Sequence, residues 1–144
     1  MDYRTVSAED FGRSLKGFGV NILVKDTKRL AEFLAEVFGL TVLRCSMDFA
    51  ILEYYGQLLQ LHSDHTYHSH PLPSLLPELG PRGAGIELRL YESDPDLAVE
   101  RVKASPHKAT ILAAPQDKPH GLRECVILCE NGYAWVPSRR LKTF

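Results

Sequence analysis

Histidine is concentrated in one short segment of the chain. Residues 61–73, LHSDHTYHSHPLP, include four of the six histidines, His62, His65, His68 and His70. Imidazole groups at this density can bind zinc, nickel or iron when a fold brings them together. Their spacing along the chain matches no standard metal site, so the segment is better interpreted as a polar surface loop whose histidines stay apart.

A second group of chemically capable residues is the run 120–124, HGLRE. His120, Arg123 and Glu124 beside the flexible Gly121 could clamp an anionic or hydrogen-bonding ligand. Simple packing of a loop is the alternative, and the sequence does not decide between the two. For Glu124, a bond to the backbone or to Arg123 is the favoured interpretation and ligand binding the alternative.

Composition excludes several other functions. The net charge is −1 and the basic residues are scattered, which argues against nucleic acid or an anionic membrane as the main partner. The chain has no apolar run of the roughly 20 residues that a membrane-spanning helix needs. It also has no nucleophile elbow, phosphate-binding loop or dinucleotide fingerprint.

The three cysteines indicate a reducing compartment. Cys125 and Cys129 lie on one predicted strand, about 13 Å apart and too far to form a disulfide. Cys45 brings the number to three, and the spacings are not those of a metal site. We therefore expect reduced core residues in a cytoplasmic protein.

The first element of the fold that positions the candidate side chains is predicted by residues 17–40, GFGVNILVKDTKRLAEFLAEVFGL. Its first residues alternate as in a strand with two different faces, and Asp26 is placed to cap a helix. Apolar residues then recur at helical spacing up to Gly39, where a left-handed C-cap is expected. Strands are predicted to follow at 40–44, 48–55 and 57–62, the last two forming a hairpin around Gly56.

This pattern occurs twice. The second half predicts a strand at 84–91, a helix with Asp94 as its N-cap, and strands at 108–113, 123–129 and 133–137. A polar loop is expected at 114–122 and a tight turn at Asn131-Gly132. Aligning Gly19 with Gly85 places Asn21 opposite Glu87, and aligning Gly56 with Gly132 places Asp48 opposite Glu124.

The remaining segments connect or flank the two repeats. Residues 1–16 are expected to form an arm with a helical turn, and residues 139–144 a basic tail. The domain proper is predicted at 17–138, with repeat one at 17–62, a linker at 63–82 and repeat two at 83–138. A short helical turn is expected around 75–79 of the linker.

Two βαβββ repeats in a chain of this length resemble the vicinal oxygen chelate superfamily of glyoxalases, bleomycin-resistance proteins and extradiol dioxygenases. The signatures are the strand–Asp–helix–Gly-Leu run that ends at Leu40 and the stretch from Arg123-Glu124 to Asn131-Gly132-Tyr133. The second signature looks most like the bleomycin-resistance branch. The resemblance implies an α+β fold in which a curved, cup-shaped mixed sheet has its helices outside and its ligand inside.

In metal-dependent members of that superfamily, His or Gln on the first strand of each unit and Glu on the last hold the metal. The corresponding positions here are Gly19, Gln60, Gly85 and Val136. Only Gln60 offers a ligand atom, so we expect no metal and no other cofactor. This puts glyoxalase isomerisation and ring cleavage in doubt, and whether the protein is an enzyme stays open.

The resemblance also implies which side chains line the cup. Strand alternation from Gly19 and Gly85 turns residues of both first strands inward, and the hairpin adds others. An internal ion pair or a solvated sheet edge is the alternative for Glu87 and Arg89. A core histidine bonded to the backbone is the alternative for His62. Tyr133 and Trp135 flank the last strand, and we expect one of them to pack in the core and the other to be able to stack on a planar ligand. The expected ligand-binding residues are Asn21, Asp48, Gln60, His62, Glu87, Arg89, His120, Glu124 and Trp135.

These residues lead to one favoured function and two alternatives. The favoured function is metal-free binding of a small, partly aromatic or cationic molecule by a homodimer. One alternative is a metal-dependent lyase, isomerase or dioxygenase that uses His62, Glu87 and Gln60 as non-standard ligands. The other alternative is a module that serves only in protein interaction.

Overall fold

A computed structural model describes residues 1–83 and 85–142. Ala84, at the start of the second predicted repeat, and the final two residues of the predicted tail lie outside the described residues. The chain divides into two compact units, Met1–Ala35 with Gly39–Ser74 and Glu36–Phe38 with Leu75–Phe144. No helix in residues 1–83 and 85–142 is long and apolar enough to cross a membrane.

The first unit contains two helices and four strands. In chain order they are α1 (Ala8–Ser14), β1 (Val20–Val24), α2 (Thr27–Phe38), β2 (Thr41–Cys45), β3 (Phe49–Tyr54) and β4 (Gln57–Ser63). The last turn of α2 groups with the second unit. Apart from α1, which is longer than the single turn expected of the arm, these elements follow the sequence-based prediction closely.

Both ends of α2 form as the sequence predicts. The Asp26 carboxylate accepts a hydrogen bond of 3.1 Å from the Arg29 N–H, and Gly39 is left-handed with φ 75°. The helix buries Leu30, Leu34 and Val37, which recur at helical spacing. Local patterns of this kind are sufficient to define the helix.

The four strands of the first unit form one mixed sheet in the order β1-β4-β3-β2. β1 runs parallel to β4, and the other two pairs are antiparallel. In this register Asn21 lies opposite Gln60, and Phe49 lies opposite His62. Because paired residues project to the same side of a sheet, these four side chains share one face.

The linker after β4 contains two short 3₁₀ turns, Asp64–Tyr67 and Leu72–Leu75. The helical turn predicted around 75–79 is therefore wrong, because the turn lies three residues earlier. Pro77 explains the difference, since a residue that precedes proline is disfavoured in the helical region.

The second unit repeats this arrangement. Its elements are β5 (Glu87–Tyr91), α3 (Pro95–Ala104), β6 (Ala109–Asp117), β7 (Leu122–Cys129) and β8 (Ala134–Arg140). The sheet order is β5-β8-β7-β6 with β5 parallel to β8, and α3 contacts β6, β7 and β8. The predicted α+β class with two βαβββ repeats is thus confirmed, as two four-stranded mixed sheets.

β6 continues further than the sequence predicted. Residues 114–117, expected in a loop, pair with β7 through irregularities in register, with Gln116 opposite Glu124. The bulges absorb the proline at 115, which cannot donate to a regular ladder. The remaining turn closes at Gly121, whose φ is 86°.

The predicted alignment of the two first strands is wrong by two residues. Gln60 and Val136 each lie fourth after their hairpin turn, and they pair with Asn21 and Arg89 respectively. Asn21 therefore corresponds to Arg89, and not to Glu87. The alignment was wrong because it treated Gly85 as a strand residue, whereas Gly85 lies in the turn before β5 with φ 89°.

The predicted match between Asp48 and Glu124 is wrong by one residue. Tyr54 pairs with Gln57 across a two-residue turn, whereas the N–H of Cys129 bonds to Tyr133 across three residues, 130–132. The extra residue shifts the register, so Phe49 is the counterpart of Glu124. A slip of one residue moves a side chain to the opposite face of a sheet.

Candidate functional site

The first unit contains a cavity of about 450 Å³. The arm and α1 line one side of it, with Phe11, Gly12 and Leu15. The other side is the sheet face that carries Asn21, Gln60 and His62. The volume lies within the range of small-molecule binding pockets.

Asn21, Gln60 and His62 form the polar floor of this cavity. The Nε2–H of His62 donates a hydrogen bond of 3.0 Å to Oε1 of Gln60. The Asn21 carboxamide has no hydrogen-bond partner among the described residues. Burial lowers the pKa of His62 from its ordinary 6.5, so its imidazole is neutral at pH 7. The floor is therefore polar but uncharged.

Aromatic rings surround His62. Its imidazole stacks on Phe49 at a centroid distance of 5.8 Å with 17° between the planes. The Tyr67 ring lies 5.4 Å from His62, and His70 lies 5.0 Å from Tyr67. A flat ligand in the cavity would find flat surfaces to pack against.

The two charged residues that line the cavity are engaged elsewhere. Nη1 of Arg44 donates to the carbonyl oxygens of Tyr3 at 3.3 Å and Val6 at 3.0 Å, and its guanidinium lies over the Phe49 ring. The Asp48 carboxylate lies 2.7 Å from Nε2 of His65, and both of these side chains are mostly exposed. Arg44 therefore holds the arm, and Asp48 orders the loop after β4.

The arm, residues 1–16, lines a site to which no sequence motif assigns it. The available signal was Ser7, whose hydroxyl accepts a hydrogen bond of 3.1 Å from the Asp10 N–H and caps α1. Phe11 of this helix is buried, and Tyr3 meets it edge to face at 6.1 Å. No local pattern indicated that Arg44 binds a segment about forty residues earlier.

Four other expected ligand residues form an ionic cluster in the second unit. Arg89 bonds to Glu124 and, at 3.2 Å, to Glu87, while Nε2 of His120 lies 3.1 Å from Glu124. Burial opposes ionisation of Glu124, but hydrogen bonds from His120 and Arg89 outweigh it and hold its pKa below the ordinary 4.5. The internal ion pair is thus the arrangement that Arg89 adopts.

Two expectations about this region are wrong. Arg123 bonds to Asp96 at 2.8 and 3.0 Å and to Asp117 at 3.0 Å, so it is not the partner of Glu124. Trp135 is 1% exposed and lies in the core. It cannot stack on a ligand in this arrangement.

The chain does not fit the metal centre that the resemblance implies. Gly19 and Gly85 lie just before their strands, Val136 is fully buried, and Oε1 of Gln60 accepts from His62. Within the described ranges, no group of three or more His, Cys, Asp or Glu side chains could hold a metal ion.

The histidines of the linker make local contacts. Besides the pairing of His65 with Asp48, His68 bonds through Nδ1 to the carbonyl of His65 at 2.8 Å, and Nδ1 of His70 accepts from the Leu72 N–H at 3.1 Å. These bonds order the loop without gathering the imidazoles around one point.

Comparison with known proteins gives matches among solved structures. A glyoxalase/bleomycin resistance protein/dioxygenase family enzyme from Burkholderia phytofirmans PsJN is similar with a TM-score of 0.68 and 19% identity, over 85% of this chain and 96% of that one. A glyoxalase/bleomycin resistance protein/dioxygenase from Nocardioides has a TM-score of 0.62 and 19% identity over 96% of both chains. TioX from Micromonospora sp. ML1 has a TM-score of 0.59 and 23% identity, over 87% of this chain and all of its own.

No protein-family profile and no curated protein sequence matches the chain. The structural similarity nevertheless covers 85% of this chain in the first of these structures and 96% in the second. The chain has the fold of the glyoxalase/bleomycin resistance protein/dioxygenase structures.

Proposed function

We propose that this protein binds a small organic molecule in the cavity of its first unit and does so without a metal ion. The observation that carries the proposal is the combination of an apolar wall with polar groups on the sheet floor that still have bonds to offer, the carboxamide of Asn21 and the NH₂ group of Gln60. Such a mixture of apolar surface and a few fixed polar groups is typical of ligand pockets.

The enzymatic alternative lacks a comparable observation. Its proposed ligands His62 and Gln60 bond to each other, and Glu87 bonds to Arg89 in the second unit. Binding through Asn21, Gln60 and His62 is the function that the geometry supports best. The ionic cluster of Glu87, Arg89, His120 and Glu124 is better explained as a structural support of the second sheet.

We also propose that the protein forms a homodimer. Large apolar side chains are exposed, with Phe18 at 93%, Leu79 at 91% and Ile86 at 59%. Covering such side chains favours association of like subunits. A cytoplasmic location remains a prediction from the three free cysteines.

A cavity-filling substitution tests the proposed function. Gly12 lines the cavity from α1, and a Cβ at this position would meet no atom within 4 Å. Gly12→Leu should therefore fold, because leucine favours a helix more than glycine does. We expect aromatic fragments to bind the native protein and to bind Gly12→Leu at least roughly 10-fold more weakly, a loss of about 1.4 kcal/mol.

The control is Ala104→Leu, which adds apolar volume at an exposed position of α3. It should bind the fragments as the native protein does, in isothermal titration calorimetry. Equal affinity of Gly12→Leu and the native protein would place binding elsewhere and contradict the proposal.

A further inference from the structure

The polar groups on the cavity floor offer a specific pattern of donors and acceptors. Asn21 and Gln60 are direct neighbours on β1 and β4, and His62 lies two residues further along β4 on the same face. Asn21 presents both a donor and an acceptor, since its carboxamide has no partner among the described residues.

The bond between His62 and Gln60 determines what each has left to offer. Because Oε1 of Gln60 can only accept, Nε2 of His62 must carry the proton of that bond. Gln60 therefore retains its NH₂ group as a donor. The neutral His62 retains the lone pair of Nδ1 as an acceptor.

Charge selects against ionic ligands. Arg44 directs its Nη1 at two main-chain carbonyls, and Asp48 is paired with His65. An ionic group placed on the floor itself would face Asn21, Gln60 and His62, which are all neutral, and would lose its hydration without gaining a counter-charge there. Of the two ligand types suggested by the sequence, aromatic and cationic, the cavity favours the aromatic one.

The apolar surfaces suit a flat ring system. Phe11 and Leu15 line the cavity from the arm, and Phe49 and Ile51 line it from β3. A cavity of about 450 Å³ accommodates a fused bicyclic or tricyclic ring with small substituents. The polar floor would then face the edge of the ring.

We infer that the occupant is an uncharged planar heterocycle that presents a hydrogen-bond donor and an acceptor side by side on one edge, as a lactam does. The inference rests on the proposed function, which it makes more specific. The lactam C=O accepts from the NH₂ group of Gln60, and its N–H donates to Oδ1 of Asn21 on the neighbouring strand.

Isothermal titration calorimetry with five matched compounds tests this inference. Isocarbostyril is a bicyclic lactam, and N-methylisocarbostyril is the same ring without the N–H donor. Naphthalene lacks both polar groups, N-methylisoquinolinium carries a positive charge, and naphthoate carries a negative charge. We expect isocarbostyril to bind best, with each of the others weaker by roughly 10-fold or more, because each leaves a buried polar group unsatisfied or buries a charge.

The protein variants locate the effect. Asn21→Leu should remove the preference for isocarbostyril over N-methylisocarbostyril, because it removes the acceptor of the N–H. Gln60→Leu should weaken both lactams alike, because it removes the donor to their shared C=O, and naphthalene binding should be retained in both variants. Gln57→Leu is the matched control, because Gln57 is exposed on the same strand and does not line the cavity.

Three results would overturn the inference, and they differ in what they say about the proposed function. Equal binding of the lactam and its N-methyl form, or a preference that persists in Asn21→Leu, would refute the donor–acceptor edge and leave the cavity as a binding site. No binding by any of the five compounds to the native protein would refute both proposals.

Discussion

Removing the guanidinium group of Arg44 should open the cavity by releasing the arm. In Arg44→Met the alkyl stem is retained, while both hydrogen bonds from Nη1 to the carbonyls of Tyr3 and Val6 are lost. A bond from a charged donor contributes about 1.5–3 kcal/mol, and water replaces part of it when the site is half-buried. Losing two such bonds should therefore cost the closed arm about 2–4 kcal/mol, a rise of roughly 30- to 1000-fold in the open population.

Amide hydrogen exchange measures this opening directly. The Phe11 N–H bonds to the carbonyl of Ser7 at 2.9 Å and is protected only while α1 is formed. Its exchange should accelerate in Arg44→Met, while amides in the centre of β3 exchange as before. Arg101→Met, an exposed position of α3, is the matched control and should leave α1 unchanged.

Two results would refute this reasoning. Unchanged exchange of α1 in Arg44→Met would show that the arm is held by other contacts. Equal acceleration of α1 and β3 would show that Arg44 supports the whole unit and has no specific role in closing the cavity.

Three further predictions concern acid stability, metal content and thiol reactivity. The pKa of Glu124 is lower in the folded protein, so its contribution to stability is present above its ordinary pKa of 4.5 and is lost as the pH falls below that value. Glu124→Gln should therefore flatten this part of the curve of unfolding free energy against pH. An unchanged curve would contradict the role given to its ion pair. After exposure to zinc, nickel, iron and manganese in turn, the untagged protein should retain less than one metal per chain by mass spectrometry, whereas a stoichiometric metal lost in His62→Ala would overturn the metal-free proposal. Cys45 is exposed and should react first with a thiol reagent. Burial raises the pKa of Cys125 to about 12, so Cys125 and the buried Cys129 should react only on unfolding. Equally fast reaction of all three thiols in the native protein would show that Cys125 and Cys129 are not enclosed.

The local elements of the fold could be predicted from the sequence because each has its signals within a few residues. Asp26 and Gly39 bracket α2, and Gly56 marks the first hairpin. The repeat was recognisable for the same reason. Its exact register was not, because the alignment relied on Gly85, a turn residue. The two N-cap aspartates, Asp26 and Asp94, have the same separation as Asn21 and Arg89 and would have given the correct match.

The candidate site could be predicted only in part. Asn21, Gln60 and His62 were correctly placed on one face, because the resemblance supplied a reference position on each strand and strand alternation gave the rest. Strand alternation could not show that the arm folds over this face, since the contact of Arg44 with Tyr3 joins distant parts of the chain. Nor could it show that Trp135 faces the core, because an aromatic residue suits either face of a strand.

The most direct test of the central claim is an NMR titration of the ¹⁵N-labelled protein with isocarbostyril. The side-chain amide signals of Asn21 and Gln60 should shift and saturate at one ligand per chain, together with the backbone signals of α1. Saturable shifts confined to residues outside the cavity, or no shift of these side-chain amides at saturating ligand, would contradict the assignment of the binding site to the first unit.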